Sequence, residues 1–299
     1  MLWVPLTIWA GFAQTLRNAA QRHLIADLGT LGATLVRFLY GLPFAALWLV
    51  IVLVASDVSP PAPTAMFIFW VVVGAVAQIA ATALLLRVMT ERNFTLGVAY
   101  SKTELVQVGI FGLVFLGDEL SVLTIVAIVL ATAGVLCLSP ADKEHPIRGF
   151  FAGLATPTAM LGVASGACFA LAAVGYRGAA LELDRGYLAS AAYTLLWAQG
   201  TQTLLLGGWL AVKDSKVIMR TIQMWRPSMV AGFMGAAASI GWFSAMTLEP
   251  AAHVRTLGLV ELFFAITLSR RMFQERLRTT EVAGIILLVA GMAAILLDL

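Results

Sequence analysis

Charged residues are scarce in this chain: only 12% of its 299 residues are Asp, Glu, Lys or Arg, whereas 61% are hydrophobic. Soluble domains carry about 25% charged residues and about 45–50% apolar ones. A chain with so little charge cannot cover itself with a surface compatible with water. The composition therefore excludes a cytosolic globular enzyme, a disordered protein and a disulfide-bonded scaffold, and it indicates a membrane protein.

Cysteine pairs, metal-ligand clusters and catalytic motifs are missing as well. Cys137 and Cys168 both lie in apolar runs and resemble small buried hydrophobic residues. The sequence contains no phosphate-binding Gly-Lys-Ser/Thr loop and no cluster of His, Cys and Asp at metal-ligand spacing. We therefore expect no catalytic residues, no metal, no cofactor and no nucleic-acid partner.

Long apolar runs are what the chain has in abundance. A membrane-spanning helix needs about 20 mostly apolar residues. Ten runs of this kind lie at roughly 2–21, 29–54, 65–86, 95–116, 121–139, 150–176, 187–212, 228–247, 251–269 and 280–297. The sequence therefore predicts an all-α polytopic membrane protein with ten transmembrane helices, which we expect to lie in the inner membrane of a bacterial-type cell.

The basic residues predict the orientation of these helices. If successive loops alternate sides, one side collects 14 of the 19 Lys and Arg residues: Arg17, Arg22, Arg87, Arg92, Lys143, Arg148, Lys213, Lys216, Arg220, Arg226, Arg270, Arg271, Arg276 and Arg278. The other side has Arg177 and Arg185. Cytoplasmic loops are enriched in Lys and Arg, so we expect the basic loops to be cytoplasmic and both termini to lie outside.

The second half of the chain echoes the first. At a shift of 157 residues, Glu104 coincides with Glu261, and Gly134 coincides with Gly291. Each repeat would hold five helices, and an odd number inverts the second repeat relative to the first. Two inverted repeats around a central cavity are an architecture of secondary transporters. The predicted domains are a first five-helix repeat at 1–139, a junction loop at 140–149 and a second five-helix repeat at 150–299.

Several short motifs give the chain a family resemblance. They are Trp9 and Arg17 in the first run, Arg37-Phe38 in the second, Leu116-Gly117-Asp118-Glu119 after the fourth, Gly134 in the fifth, Gln274-Glu275-Arg276-Leu277 after the ninth, and Gly284 and Gly291 in the tenth. With these motifs the sequence resembles the EamA-type, ten-helix members of the drug/metabolite transporter superfamily. The resemblance implies a carrier of small metabolites that works by alternating access through a central cavity. Relatives often have a proline near the places where this chain has glutamates in its fourth and ninth runs.

Glu104 is the first candidate for a binding residue, because a charge at the bilayer centre costs about 2.5–3.5 kcal/mol and is normally kept for a purpose. At about 100° per residue, Glu104 shares one helix face with Tyr100 and Ser101. Lys102 lies about 200° away from Glu104 on the same helix and must find a partner elsewhere. This polar face predicts a cavity in which Glu104 binds a substrate amine or a coupling proton.

Glu261 occupies the matching place in the second repeat. Inverted symmetry would bring Glu261 to face Glu104 across one cavity, and two carboxylates in a low-dielectric site suit a carrier of protons or cations. The alternative is that both are structural. In that case Glu104 pairs with Arg37, Lys102 or Arg255, and Glu261 pairs with Arg255 or with a group in the sixth or seventh run.

Three basic residues complete the charged set. Arg37 lies inside the second run, where its guanidinium either grips a substrate carboxylate or braces neighbouring helices. His253 and Arg255 follow Pro250 at the start of the ninth run. His253 could titrate near neutral pH or be an ordinary hydrogen-bonded residue, and Arg255 could bind a ligand or extend its side chain to the membrane surface.

Four uncharged side chains are further candidates for lining the cavity. Trp197 and Trp242 lie away from the ends of their runs, whereas tryptophans of the interfacial belt prefer the ends; the alternative is helix packing. Gln14 and Asn18 are polar residues inside the first run.

The charge pattern suggests what the protein transports. Because both signs of charge occur inside the membrane runs, we expect proton-coupled secondary transport of an amino acid or related zwitterion. An organic-anion or sugar-derivative carrier of the same fold remains an alternative, as does a channel or a membrane-embedded receptor or enzyme. The expected partners are the small-molecule substrate, protons and the lipid bilayer, and the oligomeric state stays open.

Overall fold

The structure is a computed structural model that describes residues 1–90, 101–138, 157–183, 185–264 and 279–297. The helices in chain order are α1 Trp3–Leu39, α2 Leu42–Ser56, α3 Ala65–Thr90, α4 Glu104–Phe111, α5 Val122–Leu138, α6 Pro157–Leu181, α7 Tyr187–Gln202, α8 Gly208–Lys213, α9 Ser215–Gln223, α10 Trp225–Leu248, α11 Ala251–Leu257 and α12 Thr279–Leu297. All regular structure in the described ranges is helical, so the predicted all-α class is confirmed.

Several of these helices are long and apolar enough to cross a membrane. Four stretches meet both conditions: Trp3–Ser56, Ala65–Val88, Ala159–Leu181 and Trp225–Leu248. Three shorter apolar helices are Glu104–Leu116, Val122–Val135 and Val282–Leu297. The chain is thus a multi-pass membrane protein, while the count of ten spans stays a prediction.

A single glycine separates the first two predicted runs. Gly29 has φ +67° and ψ 176°, a combination that essentially only glycine adopts. The helical ladder of α1 breaks there, and the chain folds back. The buried amide of Gln21 donates from Nε2 to the carbonyl oxygen of Ala33 at 2.8 Å, which fastens the limb after the turn to the limb before it.

The described chain forms two compact units, and the first comprises Met1–Ile79 and Ala172–Glu249. Small residues allow its helices to approach closely. A Cβ atom at Gly241 of α10 would lie 2.8 Å from the carbonyl oxygen of Leu6 in α1, and one at Gly175 of α6 would lie 3.2 Å from the backbone nitrogen of Gly74 in α3. Such small-residue contacts drive helix association in lipid, where the hydrophobic effect between helices is absent.

The second unit comprises Ala80–Leu171 and Pro250–Leu299, with α5 packed along α12. Two glycines make this contact. A Cβ at Gly134 would lie 2.8 Å from both the carbonyl oxygen of Gly284 and the amide nitrogen of Leu288, and a Cβ at Gly291 would lie 2.8 Å from the carbonyl oxygen of Ala127. The two helices run antiparallel at this crossing, because the earlier residue of one lies beside the later residue of the other.

Both units combine segments from the two predicted repeats. The unit boundaries fall inside α3, inside α6 and between Glu249 and Pro250. The repeat boundaries describe similarity along the sequence rather than compactness, so they stay a prediction, and the predicted junction at 140–149 lies outside the described residues.

Two helices contain a wider, π-helical turn. One is Gly112–Leu116 at the end of α4, and the other is Thr203–Gly207 between α7 and α8. The first ends at Gly117, whose φ of +69° is left-handed, as is usual for a glycine that closes a helix. Each π turn holds one more residue than an α-helical turn.

The glycine contact between α5 and α12 can be tested by adding a methyl group. We expect Gly134→Ala to lower the free energy of unfolding by about 1–3 kcal/mol, because its Cβ would meet the backbone of α12 and force the helices apart. Gly208→Ala is the matched control, since no heavy atom lies within 4 Å of the position of its Cβ. Unfolding of both variants in detergent measures the difference, and equal stabilities would contradict close packing at Gly134.

Candidate functional site

Glu104 stands at the start of a helix inside the second unit. A turn at Lys102 and Thr103 precedes α4, and the amide nitrogen of Leu105 donates to the carbonyl oxygen of Lys102 at 3.2 Å. Glu104 is the acidic residue of the first turn and is 6% exposed. The positive end of the helix dipole therefore lies beside this carboxyl group.

Glu261 has the same local setting. Helix α11 ends at Leu257, a turn follows at Gly258 and Leu259, and the chain is helical again over 260–264. The amide nitrogen of Glu261 donates to the carbonyl oxygen of Gly258 at 3.1 Å, and the side chain is 7% exposed. Both glutamates therefore lie just after an interruption in an apolar helical segment.

Two ion pairs join these glutamates to the predicted basic residues. Lys102 Nζ pairs with Glu261 Oε1, and Arg255 Nε lies 3.1 Å from Glu104 Oε1. Each pair connects one residue of the first half of the chain to one residue of the second half. Glu104 also interacts electrostatically with Lys102 and Glu261, so the four groups form one coupled cluster with a formal net charge of zero. We call this set the four-charge cluster.

Close backbone packing holds the turn before α4. A Cβ at Gly166 of α6 would lie 2.6 Å from the carbonyl oxygen of Ser101 and 3.0 Å from the amide nitrogen of Glu104. Ser101 is itself buried, at 4% exposure. The turn that positions Lys102 and Glu104 is thus fixed by contact with a neighbouring helix, whereas Tyr100, the other predicted residue of this face, lies outside the described residues.

His253 lies two residues before Arg255 on α11. Its Nε2 atom and the hydroxyl of Thr124 share a hydrogen bond of 2.9 Å, and the amide nitrogen of Thr124 donates to Ser121 Oγ at 2.9 Å. His253 is buried. The histidine therefore links α11 to the start of α5 and orients the helix that carries Arg255.

The remaining predicted site residues lie in the first unit. Trp242 donates from Nε1 to Gln14 Oε1 at 3.0 Å. Arg17 donates from Nη2 to Asn18 Oδ1 at 2.7 Å. Arg37 and Arg17 both pass Gly235, where a Cβ would lie 3.3 Å from Arg37 Cγ and 3.4 Å from Arg17 Cδ. This arrangement brings two buried guanidinium side chains and a fixed indole into the interior of one unit.

Arg17 lies inside the first helix, as the predicted run at 2–21 placed it. It was also counted with the basic residues of the cytoplasmic side, but its side chain is 3% exposed and buried within α1. The first limb of α1 extends to residue 28, seven residues beyond the predicted end of the run, and the residue near that end is therefore internal. Without Arg17, thirteen basic residues remain in the group predicted to be cytoplasmic.

A hydrogen-bonded amide group in the same unit was not among the predicted site residues. Gln202 donates from Nε2 to Gln78 Oε1 and to the hydroxyl of Tyr176, both at 2.7 Å, and all three are buried. The sequence signal that could have identified this group is the presence of amide side chains deep inside apolar runs. Trp197, in contrast, packs edge-on against Phe67 at 5.9 Å between ring centroids, beside the aliphatic side chains of α2 and α3.

The chemistry available in the described part of the chain is binding and proton exchange. No group of three or more His, Cys, Asp and Glu side chains there could hold a metal ion. The four-charge cluster instead offers two carboxylates and two cations at short range. Each carboxylate can exchange its protein cation for a cationic group of a ligand, and each cation can exchange its carboxylate for an anionic group.

The comparisons with known proteins agree with this picture of a multi-pass membrane protein with buried charge. Residues 156–297 match the EamA-like transporter family. This match covers the second half of the chain and confirms the predicted resemblance to EamA-type members of the drug/metabolite transporter superfamily. The family is one of transporters by its description, in agreement with the multi-pass helical structure described above.

The fold is shared with a solved structure. A crystal structure of another protein superposes with a TM-score of 0.67 and covers 100% of this chain and 97% of that chain, at 11% sequence identity. An identity this low shows a common fold and nothing about the substrate. No curated protein matches the sequence.

Reversing one ion pair tests its strength. We expect Glu261→Gln to lower the free energy of unfolding by about 3 kcal/mol, because it leaves the Lys102 ammonium buried without its carboxylate. The double variant Lys102→Glu with Glu261→Lys should recover most of this loss, since it restores a pair of opposite polarity. Thermal or denaturant unfolding in detergent is the measurement.

The matched control for this test is Glu119→Gln, which removes an exposed carboxylate and should change stability by less than about 0.5 kcal/mol. The loss of unfolding free energy in the double variant is compared with the sum of the losses in Lys102→Glu alone and in Glu261→Lys alone. If the two were equal, Lys102 and Glu261 would not be stabilising each other.

Proposed function

We propose that this protein is a secondary active transporter that moves a small polar metabolite across the inner membrane by alternating access. The best substrate class is an amino acid or a related zwitterion, and the coupling ion is the proton. The observation that carries this proposal is the four-charge cluster, in which Lys102 pairs with Glu261 and Arg255 pairs with Glu104.

Charge balance points to the substrate class. Breaking a buried ion pair is costly when it leaves one charge uncompensated. A zwitterion brings one ammonium and one carboxylate, so a glutamate and a cation of the cluster can each exchange a protein partner for a substrate group, and the buried charge stays balanced. While both glutamates are ionised, an amine or a carboxylate alone would leave one protein charge without a counter-charge.

Proton coupling follows from the same pairs. When Glu104 accepts a proton on its carboxylate, it becomes neutral and no longer attracts the Arg255 guanidinium, which is then available to a substrate carboxylate. Loss of the proton restores the pair and favours release of the substrate. The proton and the substrate are coupled because both change the partner of one guanidinium.

Two features support alternating access within inverted repeats. Both glutamates follow a break in an apolar helix, at 102–103 and at 258–259, and interrupted helices are typical of binding sites in secondary transporters. The contacts of Gly134 and Gly291 also correspond, because Gly284 and Leu288 stand 157 residues after Ala127 and Ala131. This reciprocal contact is what an internal two-fold axis produces.

The orientation forms part of the proposal. The segment from α8 to the start of α10 exposes Lys213, Lys216, Arg220 and Arg226, and we assign it to the cytoplasmic side by the positive-inside rule. Both termini then lie outside.

An organic-anion carrier is the second candidate, and a specific observation favours it. Arg17 and Arg37 are 3% and 4% exposed, and the aliphatic parts of both side chains lie beside Gly235 in the first unit. Guanidinium groups bind carboxylates and phosphates in a bidentate manner. A carrier built on this pair would select dicarboxylates or sugar phosphates over amino acids.

Thermal stability separates the two substrate classes. A ligand at about 100 times its dissociation constant stabilises the folded state by about 2.7 kcal/mol, so the substrate class should raise the melting temperature by several degrees. We expect amino acids to do so in a screen that also contains amines, carboxylates, sugar phosphates and nucleosides. If only anions raised the melting temperature, the amino-acid proposal would be wrong and a carrier of anions bound by Arg17 and Arg37 would be favoured.

Transport in proteoliposomes tests the mechanism. We expect saturable uptake that an imposed pH gradient accelerates. In Glu104→Gln and in Glu261→Gln, the acceleration should be lost, at least tenfold, because the carboxamide carries no exchangeable charge. Glu182→Gln, which removes an exposed carboxylate of the first unit, is the control that should behave like the wild type.

The outcomes distinguish a structural role from a functional one. Both variants must first be shown to fold by their elution and melting profiles. Folded variants that keep the full pH dependence would refute the coupling role of the two glutamates. Uptake that fails to saturate with substrate would indicate a channel rather than a carrier.

A further inference from the structure

Helix α9 is an additional structural element in a segment that the sequence analysis treated as a loop. Ser215–Gln223 is helical and lies between the end of α8 at Lys213 and the start of α10 at Trp225. The region is strongly basic: between Trp209 and Arg226 there are four Lys and Arg residues and one acidic residue, Asp214.

One face of α9 is fixed to the first unit. Val217 and Ile218 pack on the cluster formed by Leu35, Phe38, Leu206 and Leu210. The phenolic hydroxyl of Tyr40 donates to the carbonyl oxygen of Thr221 at 2.9 Å. The helix is therefore held in place by both apolar packing and a hydrogen bond.

The two remaining faces differ in chemistry. At about 100° per residue, Ile222 and Met219 lie about 60° apart on one exposed face, and they are 54% and 57% exposed. Lys216 and Arg220 lie about 40° apart on another exposed face, centred about 110° from the first. In bulk water the apolar face of this helix would remain exposed, whereas at a membrane interface it can be buried among acyl chains.

Exposed aromatic residues flank this helix on both sides in the sequence. Trp209 and Trp225 are 50% and 54% exposed, and the guanidinium of Arg226 lies 5.4 Å from the ring centroid of Trp225. Exposed tryptophans are enriched where hydrocarbon meets headgroups. Both flanks of α9 thus carry the residue type that favours this interface.

We propose that α9 lies in the membrane interface and that its basic face binds the headgroups of anionic phospholipids. Ile222 and Met219 contact the acyl chains, while Lys216 and Arg220, supported by Lys213 and Arg226, contact the phosphates. Amphipathic helices of this composition bind membranes through buried apolar area together with attraction to anionic lipid. Charge complementarity and the adjacent apolar face together favour a lipid over a free anion, which would use the basic face alone.

The test is lipid binding by the full-length protein in detergent, measured by native mass spectrometry. Phosphatidylglycerol and phosphatidylcholine with identical acyl chains are titrated separately. We expect tighter binding of phosphatidylglycerol, and in Lys216→Gln with Arg220→Gln a loss of roughly 25-fold in its affinity, from about fivefold for each cation removed. Arg185→Gln, an exposed arginine in the loop before α7, is the matched control and should bind like the wild type.

Two further measurements make the result decisive. The first is the melting temperature of the double variant in zwitterionic detergent, which shows that α9 remains folded if it is unchanged. The second is the variant Ile222→Ser, which should weaken the binding of phosphatidylglycerol without removing a charge. Equal binding of the two lipids, or full retention by the double variant, would overturn the proposal. Displacement of phosphatidylglycerol by millimolar inorganic phosphate would also overturn it, because the site would then recognise a free anion.

Discussion

The absence of water inside a lipid bilayer governs this structure. Lipid supplies neither hydrogen bonds nor counter-charges, so the chain must provide a partner for every polar group that it brings into the membrane. The two glutamates of the second unit meet this requirement with two cations, and Gln202 of the first unit meets it with Gln78 and Tyr176. The end of α10 leaves backbone carbonyl groups without helical partners. Arg177 supplies a partner there, because its guanidinium donates to the carbonyl oxygen of Glu249 at 2.7 Å.

The sequence was sufficient for the class and for much of the fold, because lipid imposes its requirements residue by residue. Continuous apolar runs predict helices whatever their tertiary contacts, and Gly29 falls where two of those runs meet. Two features escaped this reasoning. Arg17 was counted with the basic residues of the cytoplasmic side because the length of a run says little about where its helix stops. The segment of α9 was assigned to a loop because a short charged segment becomes a helix only through its packing on α1 and on the region of α7 and α8.

The candidate site shows the same division between local and long-range information. Glu104, Glu261 and Lys102 could be selected from residue type and depth alone, and the helical angle already required Lys102 to find its partner elsewhere. The identity of that partner could not be predicted, because Lys102 and Glu261 are 159 residues apart and their meeting depends on how whole helices pack. The bonds of Gln202 to Gln78 and Tyr176 escaped prediction for the same reason.

The wide turn at Thr203–Gly207 has a consequence for how this chain tolerates insertions and deletions. Since the turn holds one residue more than an α-helical turn, removing one residue there would leave a regular ladder and keep the downstream residues at nearly the same rotational position. Removing one residue from the regular part of α7 would instead rotate Trp209 and the basic stretch beyond it by about 100°. The wide turn is therefore the place in this stretch where the loss of a single residue disturbs the downstream helices least.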